Sequence, residues 1–380
     1  MIIKKFVFLL CFCAFSYCTS SDSSNLIDPS KFMKNKITLA DVGDDIIYIP
    51  LDNLYPIQNI YSLKISNKSI FVAAQNIGMI AFNKTGGKPR KIGNIGRGPN
   101  EYSSFLSFAV DEKSETVYVM DNRNRKIVAY SENGNFLRNI HLEKYNSYNQ
   151  EIESYNSKLF VSDYITMGQA KYNWIILDTQ GNLIKSKENS IPSFPCRYGL
   201  RGGTYKFDNK ISYWNSYNDT IFSISPDFNY KASFLFSPGE HRLPKIDVNN
   251  IYKYVLPFSI FETNHFLVFE YSYNKKGVIA LIDKKSKKSF LSEWTSDNKN
   301  GIANNLDGGT MFIPVGCFVE NSQEYMFGLL YPYLLKNHTA TEAFKNSTPK
   351  YPEKKKQLEK LANSLHENDN PVLMLVKLRK

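Results

Sequence analysis

The residues able to do chemistry are few and scattered along this chain. Five histidines occur, His141, His241, His265, His338 and His366. None sits in a His-x-x-x-His spacing or beside an acid pair, the arrangement that would hold a hydrolytic zinc. No Gly-x-Ser-x-Gly turn is present to raise a serine nucleophile. Of the five cysteines, three (Cys11, Cys13 and Cys18) fall in the first eighteen residues. Cys196 and Cys317 remain; with no Cys-x-x-Cys pair, a thiolate zinc site is disfavoured, and they read as two separate thiols or one long-range disulfide. Asp121, Asp163 and Asp283 each end an apolar run. A strand-ending aspartate is ordinarily a turn former, but inward acids at the centre of a ring could hold calcium. The Gly-rich run Ile92–Tyr102 invites a phosphate-loop reading and fails it. Pro99 interrupts, and the chain enters another strand at Phe105 where a phosphate loop would open a helix. The glycines fit a tight crossing between sheets instead.

A different set points to recognition. If the alternating runs of the chain are strands of a ring, one face gathers Arg97, Glu101, Tyr102, Asn122, Arg123, Arg125, Tyr164, Tyr217, Tyr271 and Tyr273, with Asn215, Asn218 and Asn274. Tyr, Asn and Arg on loops combine flat apolar surface with hydrogen-bond donors, which suits a glycan, a peptide segment or a partner protein.

The elements that must position these residues are strands. Aromatics make up 14% of the chain, and short alternating runs recur between Asn, Asp, Gly and Lys clusters. The clearest unit is Phe105–Asp111, Thr116–Asp121, Lys126–Ser131 and Phe136–His141, four antiparallel strands in under 40 residues. Comparable quartets begin near Ser62, Ile152, Thr204 and Ser259, and a less regular sixth spans Thr310–Leu330. Four strands repeated every ~40 to 60 residues argue an all-β propeller of six blades. Ile46–Leu51 and Val372–Leu378 are left over at the two ends, and pairing them in a composite last blade closes the ring without free edges. Pro352 to His366 reads as a helix on the outside of the ring, with Leu358, Leu361, Ala362 and Leu365 on one face.

The N-terminus carries an address. Lys4 and Lys5 precede a ten-residue apolar stretch, Phe6–Phe15, too short to span a bilayer and suited to a signal peptide over residues 1–17. Cys18 ends it, followed by Thr-Ser-Ser-Asp-Ser-Ser. This looks like a lipoprotein signal, with Cys18 as the lipidated first residue, 18–40 a flexible tether and 41–380 the propeller; Tyr17 is bulkier than such signals usually allow. The expected location is extracytoplasmic, in the periplasm or at the outer membrane and cell surface. The formal charge is +11, with basic residues clustered at Lys284–Lys288, Lys354–Lys356 and Lys377, Arg379 and Lys380. These read as solvated turns and helix faces. No nucleic-acid recognition motif accompanies them, so nucleic acid is not expected as a partner.

These marks resemble a known family, the secreted six-bladed propellers of Bacteroidota related to NHL-repeat propellers. The resemblance is carried by Ile92-Gly93-Asn94-Ile95-Gly96-Arg97-Gly98-Pro99-Asn100-Glu101-Tyr102, and supported by Asn218-Asp219-Thr220-Ile221, Asn305-Leu306-Asp307-Gly308-Gly309 and Glu367–Leu373. It implies a six-bladed ring, export and frequent lipid anchoring. It brings no settled activity and no catalytic residue to carry over. The expectation is a non-enzymatic binding or scaffold module with no cofactor. The alternative is a calcium-dependent, lactonase-type hydrolase or lyase working in the central channel, which metal analysis of the purified protein would separate from it.

Overall fold

A computed structural model describes residues 26–32, 36–145, 151–163, 170–191, 202–217, 220–236, 241–244, 246, 248–294 and 301–380. Six antiparallel sheets are arranged as blades. Blade 1 comprises Ile60–Ile65, Ser69–Ala74, Gly78–Asn83 and Arg90–Lys91. Blade 2 comprises Phe108–Asp111, Thr116–Asp121, Lys126–Ser131 and Phe136–His141. Blade 3 comprises Glu151–Tyr155, Lys158–Ser162, Tyr172–Leu177 and Leu183–Glu188. Blade 4 comprises Gly202–Phe207, Lys210–Asn215, Thr220–Ile224 and Tyr230–Phe236. Blade 5 comprises Leu256–Glu262, Phe266–Tyr273, Lys276–Asp283 and Ser289–Trp294.

Blade 6 is built from both ends of the chain. Its inner strands are Gly316–Glu320 and Gln323–Leu330, its third is Val372–Leu378, and its outermost is Gly43–Pro50. Val376 pairs with Met326 on one side and Ile46 on the other, so the C-terminal strand is hydrogen-bonded along both edges. This is the closure the leftover apolar runs predict, and it removes the two edges an open ring would expose.

Burial explains why the strands read as they do. The second strands of blades 1 and 2, Ser69–Ala74 and Thr116–Asp121, are buried at every position. Both of their faces meet another blade, so alternation gives way to continuous apolar sequence. The apolar clusters accordingly lie between blades. Phe71, Ala73 and Met79 of blade 1 pack with Phe108, Val117 and Val128 of blade 2, and Tyr118, Met120 and Ile127 of blade 2 pack with Ile152, Leu159 and Ile175 of blade 3. No blade could bury its faces alone.

Three features differ from the sequence reading. The outer strand of blade 1, expected at full length in the quartet that begins near Ser62, is only Arg90–Lys91, because Gly93 turns the chain at φ +65. The lone helix becomes one of three in an insertion between the second and third strands of blade 6. These are α2 (Pro332–Thr339), α3 (Glu342–Lys345) and α4 (Pro352–Ser364), after a short α1 (Leu39–Val42). The first two were too short to carry a visible helical period. Lys336 of α2 caps the end of α4, donating to the Ala362 and Leu365 carbonyls at 3.2 and 3.0 Å.

The third difference concerns the expected tether. Among its described residues, Leu26–Ile27 adds to the outer edge of blade 4 as a parallel strand, pairing with Leu235 and Phe236. Phe32 packs against Tyr271 at 6.4 Å between ring centroids, and Thr38 bridges Ala303. The described residues 26–32 and 36–42 thus form a strap from blade 4 to blade 6. It is held because Ile27, Ile37, Leu39 and Val42 are buried, apolar surface that the Ser-rich stretch before it conceals in a composition reading. Residues 1–25, including the expected signal and Cys18, lie outside the described residues, as does Cys196.

Candidate functional site

In this topology the blade-to-blade crossings and the turns between second and third strands share one face, here the crossing face. The Gly-rich run occupies the crossing from blade 1 to blade 2, and its job is structural. The Tyr102 hydroxyl accepts a hydrogen bond from Met79 N–H at 2.9 Å and donates to the Ile92 carbonyl at 2.9 Å. Its ring is fully buried against Tyr130 and Phe105, and burial pushes the phenol up to about 12. A Cβ on Gly93 would lie 2.3 Å from the Tyr130 ring, and one on Gly96 1.9 Å from the Glu101 carboxylate. That carboxylate accepts from Gly98 N–H at 2.8 Å. The run is therefore a latch that folds around Glu101 and plugs Tyr102 between two blades.

The other expected recognition residues separate into two groups. Arg97, Arg123 and Arg125 are exposed, as loop cations on this face should be. Asn122 is half-buried, and its side-chain carbonyl has no hydrogen-bond partner among the described residues. Tyr102, Tyr217 and Tyr271 are buried, a correction to the idea that their rings are presented outward. Tyr217 sits with Leu243, Ile251 and Leu256, and Tyr271 stacks on Phe269 at 4.7 Å. Both are large enough to fill gaps between blades, which is where a tyrosine gains most. Tyr273 is half-buried, its ring 4.8 Å from His241 and its hydroxyl within 3.2–3.3 Å of the imidazole nitrogens. Tyr164 and Asn218 lie outside the described residues.

Beside these arginines, the crossing face exposes large apolar side chains. Tyr61, Ile95 and Leu106 stand out at blades 1 and 2, and Met311, Ile313, Val315, Tyr331 and Tyr333 at blade 6. Met311 and Ile313 of the blade 6 group line a cavity of about 510 Å³, walled also by Ala303, Leu329, Leu330 and Leu334. Asn304, Asn305, Thr310 and His338 supply its polar points. Below it lies a fully buried knot. The Asp307 carboxylate accepts from the Asn304 amide at 2.7 Å and from Gly309 N–H at 2.9 Å. Burial raises the Asp307 carboxyl despite these donors, and burial with the Asp307 charge raises Tyr48 beside it. The Asn305–Gly309 segment thus fixes the crossing whose next residues line the cavity. Sequence reasoning missed this site. Its signal was Met311-Phe312-Ile313-Pro314-Val315, apolar in both phases of an alternation, although only Phe312 and Pro314 are buried.

The central channel holds a second polar centre. Glu153 of blade 3 accepts from Lys64 of blade 1 and meets Lys206 of blade 4 at 3.3 Å. The three line a cavity of about 260 Å³ with Thr204, Tyr205, Ser259 and Cys317. Burial pushes the Glu153 carboxyl upward, but the charges and hydrogen bonds of the two lysines outweigh it and the net shift is downward. A carboxyl with a depressed folded pKa stabilises the protein above its unfolded value, about 4.3, and that contribution is lost as pH falls through the folded value. Glu153→Gln should lower stability at pH 7 by about 2 kcal/mol, less than a fully buried pair because both lysines reach solvent. Urea unfolding at pH 7 and pH 3 should give a smaller wild-type-to-variant difference at pH 3; an equal difference would rule out the ionic cause.

Of the acids considered for calcium, Asp121 and Asp283 accept hydrogen bonds from nearby loop and turn groups. Asp121 accepts from Ser103 N–H and hydroxyl and from the Asn124 amide, and Asp283 from the amides of Lys285 and Ser286. Asp163 is buried at the end of the second strand of blade 3. Among the described residues no three His, Cys, Asp or Glu side chains are grouped to hold a metal. Burial pushes the Cys317 thiol up to about 12, and it donates to the Glu262 carbonyl at 3.2 Å, the setting of an inert thiol.

Comparison with known proteins agrees on architecture. A protein of Bacteroides fragilis, named as a candidate exported protein, is similar at a TM-score of 0.67 and 17% identity, covering 93% of this chain and 100% of that one. A member of the DUF4221 family from Bacteroides vulgatus is similar at 0.48 and 10% identity, over 91% and 99%. A virginiamycin B lyase from Staphylococcus aureus is similar at 0.46 and 11% identity, over 87% and 99%. At 17% identity the likeness to the Bacteroides fragilis protein is one of fold. No curated protein matches the sequence. Residues 24–377 match the model of a domain of unknown function, DUF4934, and this six-bladed propeller belongs to that family.

Proposed function

We propose that this protein is an exported, Cys18-anchored binding module without catalytic activity, whose crossing face takes a protein or peptide partner at blade 6. The observation that carries the reading is a cavity of about 510 Å³ lined by the exposed apolar Met311 and Ile313, with the exposed Tyr331 and Tyr333 in the same segment as its lining residues Leu330 and Leu334. Soluble proteins rarely leave such groups adjacent and uncovered unless a partner covers them, and a walled pocket for one large apolar side chain is how interface anchors are seated. A glycan would be read by more exposed hydrogen-bonding groups than this rim offers. The name of the Bacteroides fragilis neighbour and the lipoprotein-like N-terminus support an extracytoplasmic location.

The test is a combined peptide and glycan array probed with the wild-type chain and with Met311→Asp. Met311 is 48% exposed, so the variant should keep the wild-type melting transition. Peptides carrying large apolar residues should be retained by the wild type and bound at least tenfold more weakly by the variant. Hits unchanged by the substitution, or confined to glycans, would sink the blade 6 reading.

A further inference from the structure

We infer that the blade 5 turn Lys284–Lys288, with Lys31 beside it, is a basic patch that rests on an anionic phospholipid surface and orients the ring rim-on to the membrane. The inference deepens the anchoring part of the proposed function, since the anchor delivers the patch.

Where the chain leaves the ring is settled by Leu26–Ile27, paired with Leu235 and Phe236 on the outer edge of blade 4. Eight residue steps separate Cys18 from Leu26, a reach of at most about 28 Å. A lipid on Cys18 would therefore keep this rim close to the headgroups. Lys31, Lys284 and Lys287 line the same crevice as Leu26 and Ile27, between blades 4 and 5, so the patch lies beside the chain's exit.

The charges are layered in a way that suits a flat anionic surface. The acids within the crevice and on the turn itself are recessed, and the exposed Asp208 of blade 4, which also faces Lys284, is paired with Lys210 at 2.7 Å. The Asp28 side chain is 17% exposed while its partner Lys31 is 80% exposed. Glu262 is 7% exposed and holds Lys284 at 2.7 Å. Asp283 faces inward onto the turn's own amides, those of Lys285 and Ser286. Lys285, Lys287 and Lys288 project outward at the tip. Since screening leaves a reach of about 8 Å at physiological salt, the outermost lysines dominate what a surface senses. A basic cluster next to a lipid is the pairing that turns a marginal anchor into a stable one.

The experiment uses the chain from position 18 onward with Cys18→Ser, which keeps every described residue and removes the lipid. Its cosedimentation is measured with vesicles of phosphatidylcholine alone and of phosphatidylcholine with about a third phosphatidylglycerol, at a salt concentration near physiological. Binding is expected only to the anionic vesicles. Lys285→Glu with Lys288→Glu should weaken it more than tenfold, while Lys356→Glu with Lys360→Glu, an equal charge change on exposed positions of α4, should change it less than twofold. Equal losses in the two pairs would mean binding by overall charge, and absence of binding to anionic vesicles would overturn the patch outright. Because no lipid is present, either failure leaves the Cys18 reading standing. That reading falls separately if the mass of the exported protein shows an unmodified Cys18.

Discussion

Deleting Val372–Lys380 should abolish the folded monomer. The strand lost is the third of blade 6, paired to Met326 on one edge and Ile46 on the other. Five of its side chains, Val372, Leu373, Met374, Val376 and Leu378, are at most 2% exposed. At about 2 kcal/mol each, their burial amounts to about 10 kcal/mol, comparable with the whole stability of a typical domain. The deletion also frees Gly43–Pro50, whose pairing is to this strand alone, and leaves Leu330 and Met326 on an open edge. The expected result is loss of the cooperative thermal transition and of the near-ultraviolet circular dichroism signal, with association through the new edges. Adding a peptide of residues 370–380 should restore part of the transition by completing the sheet. A deletion variant that melts like the wild type would mean the ring is not closed by its termini.

Tyr102→Ala should be the most damaging single substitution in the crossing loops. It removes a ring fully buried against Phe105 and Tyr130 and leaves the Met79 amide and Ile92 carbonyl without partners. Large-to-small changes of this kind cost about 3–5 kcal/mol. Tyr102→Phe keeps the ring and loses only the two hydrogen bonds, so it should cost about 1–3 kcal/mol. Denaturant unfolding of both variants gives the ratio. Equal costs would mean that the hydrogen bonds carry the whole effect and the ring's packing none. A cost below about 1 kcal/mol for Tyr102→Ala would refute the latch. Because the phenol is raised to about 12 by burial, the effect should be flat from about pH 5 to about pH 9.

The latch also accounts for the motif Ile92–Tyr102. A glycine-rich run ending in Arg, Glu and Tyr has the composition of a ligand loop. Its glycines are instead required by close approach, at Gly93 to Tyr130 and at Gly96 to Glu101. Of Arg97, Glu101 and Tyr102, only Arg97 stays exposed on the crossing face.

Much of the architecture was determined by sequence alone. Each blade is a set of local hairpins, so alternation and turn residues within about 40 positions specify it without reference to the rest of the chain. The closing strands were legible for the same reason: two long apolar runs at the ends had no neighbour in sequence to pair with. Which tyrosines face a ligand was beyond such reasoning. Tyr217, Tyr271 and Tyr331 all fall at or near the end of a second strand. The first two are buried and the third is 37% exposed, because burial depends on how adjacent blades lean together. The described strap residues 26–32 and 36–42, the cavity under Met311 and the Lys64–Glu153–Lys206 centre likewise join residues far apart in the chain. Their contacts form only when the ring closes, and tertiary packing alone decides them.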